Sequence, residues 1–147
     1  MSISRVVARY VDDEDGARSC YSVLTQLRPH ITSETEFIAR WYRQVSDGYR
    51  LLALFDDSRI LALAGYRFQE NLVYGRHLYV DDLVTDAALR GQGYGEQLMT
   101  RLKHEARSHG CAKVVLDTPL SNALGHRFYF RNGLLATALR FNMVIAQ

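Results

Sequence analysis

The sequence contains few prolines, few cysteines and little net charge. Only two prolines and two cysteines occur in 147 residues, and the formal net charge is +2. Two cysteines far apart in the sequence do not indicate a disulfide framework, so we expect reduced thiols in a cytoplasmic protein. A charge excess this small, without a run of lysine or arginine, argues against nucleic acid as a partner.

Long apolar runs are also absent. No window approaches the roughly 18 consecutive apolar residues of a transmembrane helix, so no membrane partner is expected. The N-terminus lacks the extended apolar stretch of a signal peptide. None of the five histidines belongs to a metal-site pattern, and no metal is expected. The chain length and the absence of a linker predict a single domain over residues 1–147.

Apolar periodicity predicts the order β-α-α-β-β-β-α-β-α-β. Two helices are expected between Asp12 and Gly48, a third between the glycine-rich turn and Gly110, and a fourth over 122–131. The predicted strands cover 6–11, 49–55, 60–68, 77–85, 113–118 and 134–145. The central run of strands favours antiparallel pairing, with one parallel crossover between 77–85 and 113–118. The pattern therefore predicts an α/β (α+β) fold with a mixed, mostly antiparallel sheet and helices on both faces.

Three glycines follow the strand at 77–85, in the motif Arg90-Gly91-Gln92-Gly93-Tyr94-Gly95. A helix that begins here leaves N–H groups unpaired and carries about half a positive charge at its N-terminus. Glycines allow a ligand to approach the backbone, and Arg90 adds a planar cation. The motif thus predicts a site for a phosphate or pyrophosphate, although a turn required only for folding is the alternative. It matches neither the Walker pattern nor the G-x-G-x-x-G fingerprint.

Three motifs resemble those of the GNAT superfamily of N-acetyltransferases. Residues 90–95 resemble its R/Q-x-x-G-x-G/A motif, and Asp81-Asp82-Leu83-Val84-Thr85 resembles the acidic-then-apolar strand before it. Asn122-Ala123, Phe128-Tyr129 and Asn132-Gly133 resemble the N-A-…-F-Y-…-G stretch near the family's C-terminus. The motifs span 78–134, and the order of elements extends the resemblance to the whole chain. The resemblance implies a GNAT-like fold and acetyl-CoA as co-substrate.

The resemblance also assigns residues to the cofactor. The backbone of Leu83, Val84 and Thr85 would bind the pantetheine arm. The pyrophosphate would accept hydrogen bonds from the main-chain N–H groups of five residues, with Arg90 beside it: Gly91, Gln92, Gly93, Tyr94 and Gly95. Asn122 would bond to the pantetheine, because a separation of seven residues places it on one helix face with Tyr129. A helix N-cap is the alternative role of Asn122.

The implied function is transfer of an acetyl group from acetyl-CoA to a primary amine, by direct attack through a tetrahedral intermediate. The reaction requires a neutral amine, a stabilised oxyanion and a proton for the departing sulfur. We expect Tyr129 to be the general acid, because a phenol with an ordinary pKa near 10 is protonated at neutral pH. A half-buried aromatic residue without a catalytic role is the alternative for this position.

Asp81 and Asp82 are the candidates for the catalytic base. Successive strand residues point to opposite faces, so only one of the two is expected to face the acceptor. The family's acidic position favours Asp81, and a β-bulge would shift the choice to Asp82. An ordinary aspartate, with a pKa near 3.9, is a weak base toward an ammonium group. We therefore expect it to act through water or by binding the cation, and a salt-bridged acid without a role is the alternative.

A non-catalytic acyl-CoA-binding sensor or interaction module with the same fold is the second function that the motifs allow. The sequence does not distinguish a small-molecule amine from a protein amine as the acceptor. The resemblance permits a homodimer, and no residue in the sequence specifies one.

Overall fold

Residues 5–146 are described by a computed structural model, in which the chain divides into a unit that ends at Leu116 and a unit that begins at Asp117. The first unit contains five strands and three α-helices, and a short 3₁₀ helix spans Ala87–Leu89. These elements are β1 Val6–Val11, α1 Glu14–Leu27, α2 Glu34–Ser46, β2 Arg50–Asp56, β3 Arg59–Asn71, β4 Gly75–Thr85, α3 Tyr94–Ser108 and β5 Lys113–Leu116. The second unit contains α4, Ala123–Arg131. None of the helices in the described residues has the length and apolarity needed to span a membrane.

The five strands form one sheet in the order β1-β2-β3-β4-β5, with antiparallel neighbours except for the parallel pair β4 and β5. Leu51 and Ala53 of β2 pack in the same cluster as α1 and α2. Leu52 and Leu54 are also buried, and strand alternation directs them to the opposite face. The buried stripe of α3 consists of Leu98, Met99, Leu102 and Ala106. The predicted mixed sheet with helices on both faces is therefore confirmed.

The first two helices begin at side-chain caps. Asp13 accepts a hydrogen bond from the Gly16 N–H at 2.7 Å, and Ser33 accepts one from the Glu36 N–H at 3.0 Å. The Glu36 carboxylate in turn accepts from the Thr32 N–H at 3.1 Å. The two helix starts thus follow from short polar side chains at the positions where the apolar periodicity begins.

A β-bulge interrupts the pairing of β3 with β4. Gly65 pairs with Asp82, while the next residue, Tyr66, pairs with Val80. Asp81 is therefore the extra residue on β4. A bulge of this kind redirects side chains at the point where it occurs, so the simple alternation of faces fails there.

The strand β4 continues beyond the end of β5. The parallel pairing covers only His77–Val80 of β4 and Lys113–Leu116 of β5, so the predicted crossover is confirmed but the second strand ends before residue 118. After the bulge residue Asp81, residues 82–85 of β4 pair with β3 alone among the strands of the described structure. One main-chain edge of this part of β4 therefore lies outside the ladder with β5.

The predicted final strand over 134–145 is wrong. Residues 134–146 form neither helix nor strand, and the described order is β-α-α-β-β-β-α-β-α with the short 3₁₀ helix before α3. The large apolar side chains of this segment are exposed: Leu135, Leu139, Phe141, Met143, Val144 and Ile145. Their alternation is typical of a strand, but a strand also needs a main-chain partner, and the described residues pair none with this segment.

Candidate active site

The glycine-rich turn adopts the conformation that its glycines allow. Gly91 and Gly93 have φ angles of 81° and 84°, in the left-handed region that residues with a Cβ rarely adopt. A Cβ at either position would meet nothing within 4 Å. The need for glycine is thus conformational, and the space beside the turn is open.

The helix α3 begins at this turn without a side-chain cap in the described structure. Gly93 is its N-cap residue, and the first bond to the Gly93 carbonyl comes from the Gln97 N–H at 3.1 Å. The N–H groups before Gln97 have no partner within the helix. Arg90 and Gln92 beside them are exposed. The residues present therefore fit a diphosphate group.

The three candidate pantetheine residues lie on the part of β4 that β5 does not cover. Leu83, Val84 and Thr85 pair with β3. Val84 is buried in the core, so its side chain has a packing role. In an antiparallel ladder, alternate residues direct their main-chain groups to the other edge, where an extended ligand arm can bind. The assignment of these residues to pantetheine stays a prediction.

A cavity of about 230 Å³ lies beside the β-bulge in the first unit. Side chains of α1, α2 and the segment between them form one wall, and β4 supplies both aspartates of the bulge. The polar residues around the cavity are Arg28, His30, Arg40, Gln44, Tyr49 and the two aspartates. The expectation that only one aspartate faces this side is wrong, because the bulge places Asp81 and Asp82 in the same cavity.

Both carboxylate oxygens of Asp82 accept hydrogen bonds. The Arg28 Nε donates to Oδ1 at 2.9 Å, and the Tyr49 hydroxyl donates to Oδ2 at 2.7 Å. Arg28 also donates through Nη2 to the main-chain carbonyl of Asp81 at 2.8 Å. Burial, and then the charge of Asp82, raises the pKa of Tyr49 well above its ordinary value. Tyr49 therefore remains protonated and holds Asp82 in place.

Gly65 makes room for this contact from the neighbouring strand. A Cβ at Gly65 would lie 1.9 Å from the Tyr49 hydroxyl oxygen, which is far inside contact distance. Glycine inside a strand commonly marks such a close approach. The position of Tyr49 over the sheet thus depends on the missing side chain at residue 65.

The carboxylate of Asp81 accepts fewer hydrogen bonds than that of Asp82. Its Oδ2 accepts from the Arg67 Nε at 2.9 Å, and Arg67 also donates to Gln44 at 2.7 Å. The other oxygen, Oδ1, accepts no hydrogen bond within the described residues. Burial raises the pKa of Asp81 above its ordinary value, against the opposing effect of Arg67. Asp81 is consequently the carboxylate with an oxygen available to a ligand.

In the second unit, Asn122 is the N-cap of α4, as its alternative interpretation predicts. Its side-chain oxygen accepts from the Gly125 N–H at 3.1 Å, and its amide nitrogen donates to Thr118 Oγ1 at 3.1 Å. Tyr129 is half-buried, with its ring edge-to-face against Phe128 at a centroid distance of 5.4 Å. The cofactor role of Asn122 and the acid role of Tyr129 stay predictions.

The cysteines form no disulfide in the described structure. Cys20 is buried, and burial raises the pKa of its thiol to about 12, so it is not a nucleophile at neutral pH. Cys111 is partly exposed. The described residues contain no group of three or more histidine, cysteine or acidic side chains placed to hold a metal ion.

Sequence reasoning missed the residues that hold the two aspartates, namely Arg28, Tyr49 and Arg67. Arg28 follows α1, Tyr49 precedes β2 and Arg67 lies on β3, and no motif or spacing connects these three residues. The one available signal was Gly65, an isolated glycine inside a predicted strand, which indicates a close approach. Its partner could not be named from the sequence, because the contact joins residues from different parts of the chain.

Comparison with known proteins connects this site to a family. Residues 16–134 match the model of the acetyltransferase (GNAT) family. The chain is 35% identical over 117 residues to the uncharacterized N-acetyltransferase YhdJ of Bacillus subtilis, covering 79% of this chain and 81% of the relative. It is 36% identical over 110 residues to glucosamine 6-phosphate N-acetyltransferase 1 of Oryza sativa subsp. japonica, covering 70% and 67%.

A solved structure shows the same fold. The aminoglycoside N-acetyltransferase AAC(6')-Iy, crystallised in complex with CoA, superposes with a TM-score of 0.86 over 98% of this chain and 97% of that protein. At 14% identity this similarity concerns the fold alone. The family match, the related sequences and the uncapped glycine turn agree, and the chain is therefore a member of the GNAT family and an acetyl-CoA-dependent N-acetyltransferase.

Proposed function

We propose that the protein acetylates the primary amine of a small molecule that binds in the cavity beside the β-bulge. The observation that carries this proposal is the position of Asp81 and Asp82. They face the cavity and immediately precede Leu83, the first candidate pantetheine residue. The Oryza sativa relative, by its name, acts on glucosamine 6-phosphate, a small primary amine.

The co-substrate supplies an acetyl thioester, and the chain supplies its binding groups. The N–H groups of residues 91–95 would bind the pyrophosphate, with Arg90 as the added cation. The main chain of 83–85 would bind the pantetheine arm. Because the side-chain amide of Asn122 caps α4 and bonds to Thr118, a contact with pantetheine would require that amide to share its hydrogen bonds.

Asp81 is the residue that we assign to the acceptor amine. Asp82 has both oxygens occupied by Arg28 and Tyr49, whereas Asp81 has one occupied oxygen. The raised pKa of Asp81 makes it a better proton acceptor than an ordinary aspartate. Its role is to bind the incoming ammonium and take up its proton, directly or through water, so that a neutral amine attacks.

Tyr129 is the residue that we assign to the leaving group. The amine nitrogen forms a bond to the acetyl carbonyl carbon, and the bond from that carbon to sulfur breaks. The attacking nitrogen loses one proton to solvent as the amide forms. The thiolate takes its proton from the Tyr129 hydroxyl, and the phenolate regains a proton from solvent. This assignment is supported by the place of Tyr129 in the C-terminal motif and by the chemistry of a phenol.

The substitution Tyr129→Phe tests the acid role. General acid catalysis contributes roughly 10²- to 10⁴-fold, so kcat should fall by about that factor while the KM for acetyl-CoA changes little. Release of free thiol in the presence of an amine measures the rate. Tyr42→Phe, an exposed tyrosine on α2, is the matched control and should keep full activity. Full activity of the Tyr129→Phe enzyme would remove Tyr129 from this role.

The alternative of a non-catalytic acyl-CoA sensor is tested with the same assay. A sensor would be stabilised against heat by CoA, by about 2.7 kcal/mol at 100 times the dissociation constant, but would release no thiol with any amine. An enzyme shows both the stabilisation and amine-dependent thiol release. The two outcomes separate binding from catalysis without knowledge of the natural acceptor.

A further inference from the structure

The charged groups around the cavity are balanced. Asp82 pairs with Arg28 at 2.9 Å, and Asp81 pairs with Arg67 at 2.9 Å. Arg40 of α2, which also lines the cavity, pairs with Glu36 on the same helix at 3.1 Å. Each carboxylate therefore has its own guanidinium, and the surroundings of the cavity offer no excess of negative charge.

Because the charges of the cavity are balanced, the cavity should favour acceptor molecules whose own charges are balanced as well. A polycation such as a polyamine, an aminoglycoside or a lysine-rich peptide gains little electrostatic attraction from a neutral set of charges. An amine that carries its own acid group is complementary to such a set, because its ammonium can meet a carboxylate and its acid can meet a guanidinium. Binding then leaves no charge unpaired in the cavity.

The charges are also arranged by depth. The side chains of Asp82 and Asp81 are 14% and 25% exposed, whereas those of Arg28 and Arg40 are 39% and 42% exposed. The imidazole of His30, which also lines the cavity, belongs to an exposed residue. Among the charged side chains that line the cavity, the two acids thus lie deeper, next to the candidate pantetheine strand, and Arg28 and Arg40 lie nearer to solvent. Arg67, which pairs with Asp81 but does not line the cavity, is 17% exposed.

Arg40 is the cation that is most available to a ligand. Arg28 already bonds through two of its nitrogens to β4, at the side chain of Asp82 and the carbonyl of Asp81. Arg40 uses one nitrogen, in an i,i+4 ion pair on the surface of α2, and a pair of this kind contributes little to stability. A guanidinium has five N–H donors in a planar fork that matches a phosphate or carboxylate.

We propose that Arg40, assisted by His30, binds an acid group of the acceptor while the acceptor's amine lies at Asp81. The substrate class is then a small primary amine that carries a phosphate, phosphonate or carboxylate. This inference rests on the proposed function for the position of the amine, and it adds a group that determines specificity at the more exposed, basic part of the cavity lining.

Calorimetric titration of the CoA-bound protein tests this directly. The probes are two matched pairs, glucosamine 6-phosphate with glucosamine and 3-aminopropylphosphonate with propylamine. The acid-bearing member of each pair should bind on the order of tenfold to hundredfold more tightly, the effect of one charged hydrogen-bonded pair. Arg40→Gln should reduce the difference to less than about threefold by loss of that pair. Arg43→Gln, on the same helix but not lining the cavity, is the control and should retain it.

Equal affinity within each pair, no binding of either member, or an undiminished difference in Arg40→Gln would each overturn the proposal. Tighter binding of spermidine than of the acid-bearing amines would also overturn it. Failure of the proposed function looks different. In that case the acid-bearing amines bind in an Arg40-dependent way, yet none of them releases thiol from acetyl-CoA.

Discussion

The β-bulge and the glycine-rich turn are both candidate binding sites, but they are built in opposite ways. At the bulge, side chains from three separate parts of the chain hold two carboxylates through hydrogen bonds of 2.7–2.9 Å. At the turn, the side chains of Arg90 and Gln92 are exposed, and the main chain carries the left-handed conformation.

The difference teaches how each site should respond to substitution. At the bulge, a substitution that adds or removes a side-chain atom changes contacts within a packed hydrogen-bond network. Such a substitution should therefore strongly change both the free energy of unfolding and the reaction rate. At the turn, a new Cβ meets open space, so its effect should come only from the backbone conformation. Replacing a glycine by alanine at each site therefore tests this difference directly.

Gly65→Ala should have the largest effect on the folded state. The new Cβ would lie 1.9 Å from the Tyr49 hydroxyl oxygen, and Tyr49 is buried. Displacing a buried side chain of this size should lower the free energy of unfolding by about 2–4 kcal/mol, measured by urea denaturation. Adding Gly65→Ala to Tyr49→Ala should cause little further loss, because the hydroxyl and ring atoms that the new Cβ would contact are then absent. A variant as stable as the wild type would contradict the role assigned to Gly65.

Replacing each aspartate in turn by asparagine should show which carboxylate takes part in the reaction and which one stabilises the fold. Asp81→Asn should lower kcat/KM by about 10²-fold, because it removes the proposed proton acceptor. Asp82→Asn should reduce stability more than Asp81→Asn does, because both Asp82 oxygens accept hydrogen bonds in a buried network. Steady-state kinetics and urea denaturation of both variants measure the two effects. The reverse pattern would assign the base to Asp82.

Gly93→Ala should act on the cofactor more than on the fold. A residue with a Cβ at a φ of 84° is strained by roughly 1–2 kcal/mol. Any shift of the turn should also weaken acetyl-CoA binding, by about tenfold for 1.4 kcal/mol, with kcat at saturation close to that of the wild type. Gly48→Ala has the same strain at a φ of 90° and an equally open Cβ position, so it is the matched control. Equal acetyl-CoA affinity of the two variants would argue against a pyrophosphate site.

The pH dependence should show the smallest effect, and it concerns Asp81. Because burial raises the pKa of Asp81, the rate should increase with pH through a value above the ordinary 3.9 as the carboxylate forms. Stability should change in the opposite direction. The native state holds this proton more tightly than the unfolded chain, so the stability contribution falls as pH rises through that window. Asp81→Asn should remove the Asp81 contribution to each pH dependence. The increase of kcat/KM with pH should disappear, and the stability of the variant, measured by thermal unfolding from pH 3.5 to 7, should fall less with rising pH than that of the wild type.

The elements that depend on local pattern were predicted from the sequence. The two helices between Asp12 and Gly48, the antiparallel strands predicted at 49–55 and 60–68 and the start of α3 at the glycine turn all follow from neighbouring residues. Each needs only a short polar side chain, a glycine or an apolar period within a few positions. The conformation of the glycine-rich turn belongs to the same group, because it depends on main chain and glycine spacing, and its role in binding a pyrophosphate stays a prediction.

The elements that depend on distant partners were decided by the tertiary structure. The apolar alternation at 134–145 is satisfactory as a strand pattern, yet no strand forms there in the described chain. The bulge that turns Asp81 and Asp82 to one cavity exists only because β3 and β4 pair out of step at Gly65. These acids accept hydrogen bonds from Arg28, Tyr49 and Arg67, which lie in separate parts of the chain. No spacing in the sequence indicates that these residues are in contact. The sequence by itself therefore determined the helices, most strands and the glycine-rich turn, which need only neighbouring residues, whereas long-range pairing determined which carboxylate keeps an oxygen without a hydrogen bond in the described structure.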